Sequence, residues 1–205
     1  GDDSSGGALY IIGNNTHVVN ATFSNNSASE NGGAVCVVGE NCTLNNSMFA
    51  NNTAHDDGGA VQWNGNNGRI YNVTANNNYA DSARGSSKGG TFTIEGNNTT
   101  ILKVNISNSY VDSDHNLDPG KTTQGGGIFL TGNNCNITDA VFENCSVKYA
   151  ADESSGGAIY IIGHNATVVN ATFKNNTAYE DGGAIYIEGN NCVLNNTVFI
   201  NNTAH

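Results

Sequence analysis

Seven Gly-Gly pairs divide the chain into near-copies of one segment, and this repetition constrains the fold more than any other feature. Successive pairs are separated by 26, 26, 31, 36, 31 and 26 residues. A unit of this length cannot bury an apolar face by itself, so it must stack on its neighbours as in a solenoid. The pairs begin at Gly6, Gly32, Gly58, Gly89, Gly125, Gly156 and Gly182.

Each unit carries the pattern of short β-strands. After the glycines, apolar residues such as Ile185 and Ile187 alternate with outward residues, which is typical of a strand. A Gly-x-Asn segment then predicts a sharp corner, because Gly and Asn tolerate positive φ. Two more strands follow, anchored by residues such as Leu194 and Phe199. The sequence therefore predicts an all-β, right-handed parallel β-helix of seven coils, each of about 26 residues and three short strands.

A second repetition, with a longer period, is superimposed on the first. Residues 1–55 and 151–205 are identical at 36 of 55 positions, an offset of 150 residues that we interpret as a super-repeat of six coils. Solenoids normally end in atypical capping units, and neither end of this sequence has that form. We therefore expect residues 1–205 to be a single solenoid that is a window on a longer array, or that stacks end to end on copies of itself.

The extra residues of the longer units all fall at one corner, just before a Gly-Gly pair. They form the loops 81–88, 112–124 and 148–155, which adjacent coils would stack into one protrusion. Loops on a rigid scaffold are a usual place for binding. The alternatives are contact with a neighbouring chain or filament, and an insertion that is simply tolerated.

The longest loop contains alternating oxygen-bearing side chains that resemble the start of a calcium-binding loop. Leu117 stands where such loops have Gly, and Thr123 stands where they have a bidentate Glu. The segment predicts either a Ca²⁺ site or an acidic, solvated turn. The candidate ligands are Asp112, Asp114, Asn116 and Asp118.

Asparagine makes up 37 of the 205 residues, and one Asn recurs in every coil two residues after the third-strand apolar position. Stacked Asn side chains hydrogen-bond from chain to chain in cross-β assemblies. We therefore predict that this row forms an internal structural ladder. Its members are Asn25, Asn51, Asn77, Asn108, Asn144, Asn175 and Asn201.

The chain also holds 17 Asn-x-Ser/Thr sequons, more than its composition explains. Sequons within a buried ladder would be unavailable for N-glycosylation, whereas those beside an outer corner would be better acceptors. The alternative is that Asn serves only as a corner and ladder residue. The predicted acceptors are Asn20, Asn45, Asn72, Asn170 and Asn195.

The outward positions of the first strand include an aromatic row that is expected to face solvent. It could stack sugars, pack against another solenoid, or simply stack on itself. Its members are Tyr10, Phe129, Tyr160 and Tyr186. The five cysteines fit no disulfide framework, so we expect small, mostly buried thiols.

Charge and motifs exclude several functions. The chain has 7 basic and 18 acidic residues, a net charge of −11, which disfavours nucleic acid and anionic lipid as partners. No stretch approaches the ~20 apolar residues of a membrane span, so no membrane insertion is expected. Phosphate-binding loops, nucleophile elbows and His-based metal motifs are missing, and we predict no catalytic residues and no enzyme.

The motifs GGAI, GGAV and GGAL, each with a following F-x-N-N, are similar to the repeats of chlamydial-type polymorphic outer-membrane proteins. The whole chain resembles still more closely the Asn-rich adhesin-like surface proteins of methanogenic archaea. These resemblances imply a non-enzymatic, extracellular repeat protein that forms a stalk or filament at the cell surface. Its expected partners are copies of itself and cell-surface glycans, with no cofactor beyond Ca²⁺ or N-glycans. The alternative is a carbohydrate-binding or polysaccharide-cleaving β-helix protein.

Overall fold

The computed structural model describes residues 4–82, 85–113, 120–148 and 153–205. Within these ranges the chain forms short parallel strands and no helix. Each strand pairs in register with its equivalent in the next coil, as Leu9 does with Val35 and Val35 with Val61. The predicted parallel β-helix is confirmed. We number the coils 1 to 7 from residues 6, 32, 58, 89, 125, 156 and 182.

The first strand of every coil belongs to one sheet, here sheet A. It directly follows the Gly-Gly pair and points its large apolar residues into the solenoid. Its strands are β1 (Leu9–Ile11), β5 (Val35–Val37), β8 (Val61–Trp63), β12 (Phe92–Ile94), β16 (Ile128–Leu130), β21 (Ile159–Ile161) and β25 (Ile185–Ile187).

The second and third predicted strands form one sheet, sheet B, which bends in the middle. In coils 2 to 4 they run together as a single eight-residue strand. A residue with positive φ, such as Asn46 at 49°, lies at the bend. The strands are β2 (His17–Val19), β3 (Thr22–Ser24), β6 (Thr43–Ala50), β9 (Arg69–Asn76), β13 (Thr100–Ser107), β17 (Asn136–Thr138), β18 (Val141–Glu143), β22 (Thr167–Val169), β23 (Thr172–Lys174), β26 (Val193–Asn195) and β27 (Val198–Ile200).

A further short strand, which the sequence did not predict as a separate element, closes each coil and forms sheet C. It carries the small inward residue, such as Ala54, that the repeat pattern contains. The strands are β4 (Ser27–Ala28), β7 (Thr53–Ala54), β10 (Tyr79–Asp81), β14 (Tyr110–Asp112), β19 (Ser146–Val147), β24 (Thr177–Ala178) and β28 (Thr203–Ala204).

The inserted segments contribute a small sheet of their own, sheet D, at the corner between sheets C and A. Its strands are β11 (Ser87–Lys88), β15 (Thr122–Gln124) and β20 (Glu153–Ser155). The three insertions therefore do stack on one another at one corner, as the sequence predicted. Within the insertions, residues 83–84, 114–119 and 149–152 lie outside the described residues.

The Gly-Gly pair recurs because each glycine meets a different steric demand. Gly32 has a φ of +62°, which side-chain-bearing residues rarely adopt. A Cβ on Gly33 would lie only 2.2 Å from the carbonyl oxygen of Gly59 in the next coil. The first glycine turns the chain, and the second allows adjacent coils to approach at the turn.

The core is a continuous column of apolar side chains shared between coils. Phe23 and Phe49 stack with ring centroids 4.9 Å apart, and the rings of Phe142 and Phe173 stack at 5.0 Å. Coil 3 has the smaller Ala75 at this position, and the ring of Phe92 packs edge-on against Phe49 nearby. The column thus stays filled although individual positions change in size.

The super-repeat spans five coils rather than the six predicted. Strand β21 is equivalent to β1, and it lies five steps away from β1 in sheet A. Three of the intervening coils contain insertions, so an offset of 150 residues holds fewer coils than the 26-residue period suggests. Coils 6 and 7 therefore repeat coils 1 and 2.

All five cysteines are free thiols, as expected from their spacing. Four of them are buried, and Cys192 is partly exposed. Burial raises the pKa of Cys36 to about 11 and that of Cys145 to about 12. Because the reactive form of a thiol is the thiolate, these two residues are inert packing groups.

Candidate functional site

The aromatic row on the outside of sheet A is largely covered, which corrects the prediction of a solvent-facing row. Phe129 is 2% exposed and Tyr160 is fully buried, whereas Tyr10 is 51% exposed. Tyr186 is partly buried. The covering groups come from sheet D, whose Lys88 places its ammonium 5.1 Å from the centre of the Phe129 ring. Rings are exposed only where no inserted strand lies beside them.

The hydroxyl of Tyr160 joins an inserted strand to coil 7. It lies within hydrogen-bonding distance of one carboxylate oxygen of Glu153 and one of Glu188. Gln124 donates a further hydrogen bond from Nε2 to Glu153 at 2.8 Å. Burial, followed by the two carboxylates, raises the pKa of the Tyr160 hydroxyl far above its ordinary value. Tyr160 is therefore a neutral donor that fastens strand β20 to the solenoid, and it does not act as a base.

A partly buried aspartate, Asp57, lies beside the first inserted strand, β11. Asp57 bridges to Lys88 through the backbone, and its Oδ1 is buried without a hydrogen-bond partner among the described residues. Burial raises the pKa of Asp57 to about 7, with Asp56 and Glu95 adding to the shift and Lys88 opposing it. Nothing in the local sequence pattern around Asp56 and Asp57 indicates that strand β11 will pack beside them.

Of the four predicted calcium ligands, Asp112 lies within the described residues. Asp112 pairs through Oδ2 with the ammonium of Lys148 at 3.1 Å, and that ammonium also lies 4.1 Å from the ring centre of Tyr110. Asp114, Asn116 and Asp118 lie outside the described residues. In the described ranges no three His, Cys, Asp or Glu side chains are grouped so that they could hold a metal ion.

The predicted Asn ladder is exposed, so its internal position was wrong. The row of Asn25, Asn51, Asn77, Asn108, Asn144, Asn175 and Asn201 is exposed throughout and has positive φ at every member. Some members do hydrogen-bond from coil to coil, as Asn51 Nδ2 does to Asn25 Oδ1 at 3.3 Å. These asparagines are corner residues, and we call them the corner row.

The buried ladder stands one residue further along the chain. In coil 2, Asn52 Oδ1 accepts hydrogen bonds from the backbone N and the side-chain Nδ2 of Asn26, at 3.0 and 2.9 Å. Its Nδ2 donates to the carbonyl of Phe23 at 3.1 Å. The buried ladder consists of Asn26, Asn52, Asn78, Asn176 and Asn202, with Ser109 and Cys145 in coils 4 and 5.

Sequence reasoning chose the wrong row because the corner row is Asn in every coil, whereas the buried ladder is not. A left-handed corner strongly favours Asn among the residues with a side chain. A buried hydrogen-bonding position accepts any small polar group that fits, such as the Ser109 hydroxyl. The signal that could have found the ladder is the repeated Asn-Asn dipeptide.

The structure separates the predicted glycosylation acceptors into two groups. Asn20, Asn72 and Asn170 are exposed at sheet B corners, with φ values of 55°, 52° and 53°. Asn195 is exposed on coil 7, but Asn45 is half-buried within strand β6, with its Oδ1 buried. Glycosylation at these positions stays a prediction.

The fold itself explains the excess of sequons. A corner Asn is followed two residues later by an outward strand position that favours Thr or Ser, as in Asn20 and Thr22. The corner row has the same geometry, as Asn51 and Thr53 show. The expectation that sequons in the corner row are inaccessible therefore fails, because the row is exposed.

Comparison with known proteins gives one match, at the level of the repeat. Residues 20–38 and 170–188 each match the Chlamydia polymorphic membrane protein repeat. Each match runs from a sheet B corner to the sheet A strand of the next coil, and the two lie at equivalent places in the super-repeat. No curated protein and no solved structure matches the chain. The described residues contain no helix long and apolar enough to cross a membrane. In these two segments the chain is similar to a repeat of a bacterial surface-protein family.

Proposed function

We propose that this chain is part of an extracellular, non-enzymatic repeat protein whose solenoid acts as an adhesin-like stalk at the cell surface. The observation that carries the proposal is the unbroken, in-register stacking of seven coils, two segments of which match a surface-protein repeat. Stacking of a short repeat in this way gives an elongated solenoid with a continuous outer surface. The net charge of −11 is consistent with a solvated exterior.

We further propose that the solenoid is extended by the stacking of additional coils. Coil 7 exposes Leu194 and Phe199 on the face whose equivalents in coil 2, Leu44 and Phe49, are covered by coil 3. A face of this composition suits a further coil, whether from the same polypeptide or from a second copy. The stalk or filament would then lengthen by repetition of a single kind of contact.

The non-enzymatic part of the proposal rests on the state of the outward carboxylates. In polysaccharide-cleaving β-helices, acidic side chains must face a substrate groove. Here Glu153 and Glu188 both contact the Tyr160 hydroxyl, which supports a packing role for them. We also propose a relationship to the Asn-rich adhesin-like proteins of methanogenic archaea, on the basis of 37 Asn in 205 residues.

The location is tested by immunogold labelling of intact source cells with antibodies against the solenoid, with permeabilised cells as the control. We expect equal labelling of both, and loss of the signal after external protease treatment. Labelling that requires permeabilisation would overturn the proposal. Electron microscopy of the native material then distinguishes stalks and filaments from isolated particles, and isolated particles alone would contradict the extension by stacking.

A further inference from the structure

An open groove crosses the outside of coils 1 to 3, along the bend of sheet B. Its volume is about 310 Å³, at the lower end of the roughly 300–1,000 Å³ of small-molecule sites. The bend exists because Asn20, Asn46 and Asn72 adopt left-handed φ values of 55°, 49° and 52°. The chain changes direction at a single residue in each coil, and the groove is lined by these corner residues and by residues that directly follow them.

The lining of the groove is polar and uncharged. The amides of Asn46 and Asn72 are linked, with Asn72 Nδ2 donating to Asn46 Oδ1 at 2.7 Å. A side-chain amide offers two donor hydrogens and two acceptor lone pairs, so this one bond uses a small part of the capacity of the pair. The exposed side chains of Thr22 and Thr74 add hydroxyl groups that both donate and accept.

Two apolar side chains interrupt this polar surface, Ala21 and the larger Met48. Met48 lies in the groove between the two threonine positions and is 49% exposed. In coils 4 and 5 the equivalent corner residues are charged, Lys103 and Asp139, and coils 6 and 7 again have Asn170 and Asn196. A run of three consecutive uncharged corners therefore occurs in coils 1 to 3, whereas coils 6 and 7 supply a run of two.

We propose that this groove binds a neutral oligosaccharide laid across coils 1 to 3. Sugar hydroxyls both donate and accept hydrogen bonds, which matches amides and hydroxyls, and the C–H faces of a sugar ring suit the thioether of Met48. The lining has no charge to attract phosphates, nucleic acid or charged peptides. The inference goes beyond the proposed surface role and can be tested whether or not that role is correct.

The test uses Met48 as a reporter, because it is the only methionine in the chain. Protein labelled with ¹³C at the methionine methyl is titrated with maltohexaose, cellohexaose and chitohexaose, and with hexagalacturonate as a charged counterpart. It is produced in a host that attaches no N-glycans, since Asn20 and Asn72 stand in sequons. We expect a saturable shift of the Met48 methyl resonance with at least one neutral hexasaccharide, at roughly millimolar affinity.

Matched variants connect the shift to the groove. Thr22→Val and Thr74→Val should each weaken binding about fivefold, the loss expected from one hydrogen bond of about 1 kcal/mol. Thr172→Val changes the same repeat position 150 residues later, outside the groove, and should leave binding unchanged. The proposal is overturned if no neutral hexasaccharide gives a saturable shift. It is also overturned if hexagalacturonate binds equally well, or if the coil 6 variant weakens binding as much as the groove variants do.

Discussion

Coils 2 and 7 are near-copies in sequence, yet their side chains lie in different environments. Leu44 and Phe49 of coil 2 are 1% and 0% exposed, whereas the equivalent Leu194 and Phe199 of coil 7 are 38% and 49% exposed. The difference is the neighbour, because coil 3 covers coil 2 and no described coil lies on the outer face of coil 7. Burial in this protein is therefore a property of a pair of coils and not of a single repeat.

Much of the stability of the molecule therefore comes from the interfaces between coils. Repeat proteins are stabilised by a sum of terms from single units and from interfaces between neighbours. Here the apolar column and the buried ladder both lie at those interfaces. Identical substitutions in coils 2 and 7 should therefore have unequal effects, and the ratio measures how much of each interaction the neighbour supplies.

The largest difference is expected for the stacked phenylalanines. Phe49→Ala removes a fully buried ring from between coils and should lower the free energy of unfolding by about 3 to 5 kcal/mol. In the isolated 205-residue chain, Phe199→Ala removes a ring that is half exposed, and we expect a loss of about 1 to 2 kcal/mol. Urea unfolding monitored by circular dichroism gives both values. Equal losses would contradict the shared core.

The buried ladder should give the next largest difference. Asn52→Ala leaves the backbone N of Asn26 and the carbonyl of Phe23 without their partner, which should lower the free energy of unfolding by about 2 to 3 kcal/mol. Asn202→Ala, at the open face, should have about half that effect, because solvent can replace part of its contacts. Asn51→Ala tests the corrected assignment, since an exposed corner residue should matter less than its buried neighbour.

Asp57 and Asp181 occupy the same repeat position, and only Asp57 is enclosed by the inserted region. The folded pKa of Asp57, about 7, is above its ordinary value of 3.8, so folding favours the protonated form. The stabilisation that comes from the protonated Asp57 is complete below pH 4 and is lost as the pH rises through 7. The free energy of unfolding should therefore fall by roughly 2 kcal/mol between pH 5 and pH 7. Asp57→Asn should flatten this part of the stability profile, and Asp181→Asn at the exposed equivalent position is the matched control.

The smallest effect concerns the aromatic row. Tyr160→Phe removes the hydroxyl that contacts Glu153 and Glu188, and it should cost about 1 kcal/mol. Tyr10→Phe alters an exposed ring at the equivalent position of coil 1 and should have no measurable effect. Thermal unfolding of the two variants side by side measures the difference. A larger loss in Tyr10→Phe would contradict the role assigned to strand β20.

The architecture could be predicted from the sequence because the same constraint is repeated in every coil. Glycine at a left-handed turn and at a close backbone contact, as at Gly32 and Gly33, leaves a signal that seven copies amplify. Alternating apolar residues then identify the inward face. Features that depend on a single coil, such as the packing of Phe92 against Phe49, left no repeated signal.

The site was harder to predict because inserted strands change what the repeat exposes. Tyr10 and Tyr160 have nearly the same local sequence, and only the second is covered by an inserted strand. The ladder was also predicted in the wrong row. The left-handed corner conformation makes the corner row more uniform in sequence than the hydrogen-bonding row. The left-handed corner and the inward amide both select Asn, so residue identity alone does not distinguish them.

The central claim, that coils stack along one axis and share their core, is tested most directly by one distance. Spin labels are attached through a non-natural amino acid at positions 22 and 172, equivalent outward sites five coils apart, and their separation is measured by double electron–electron resonance. Five parallel strand spacings predict a narrow distribution near roughly 24 Å. A separation below about half of that value, or a broad distribution, would contradict the stacked solenoid.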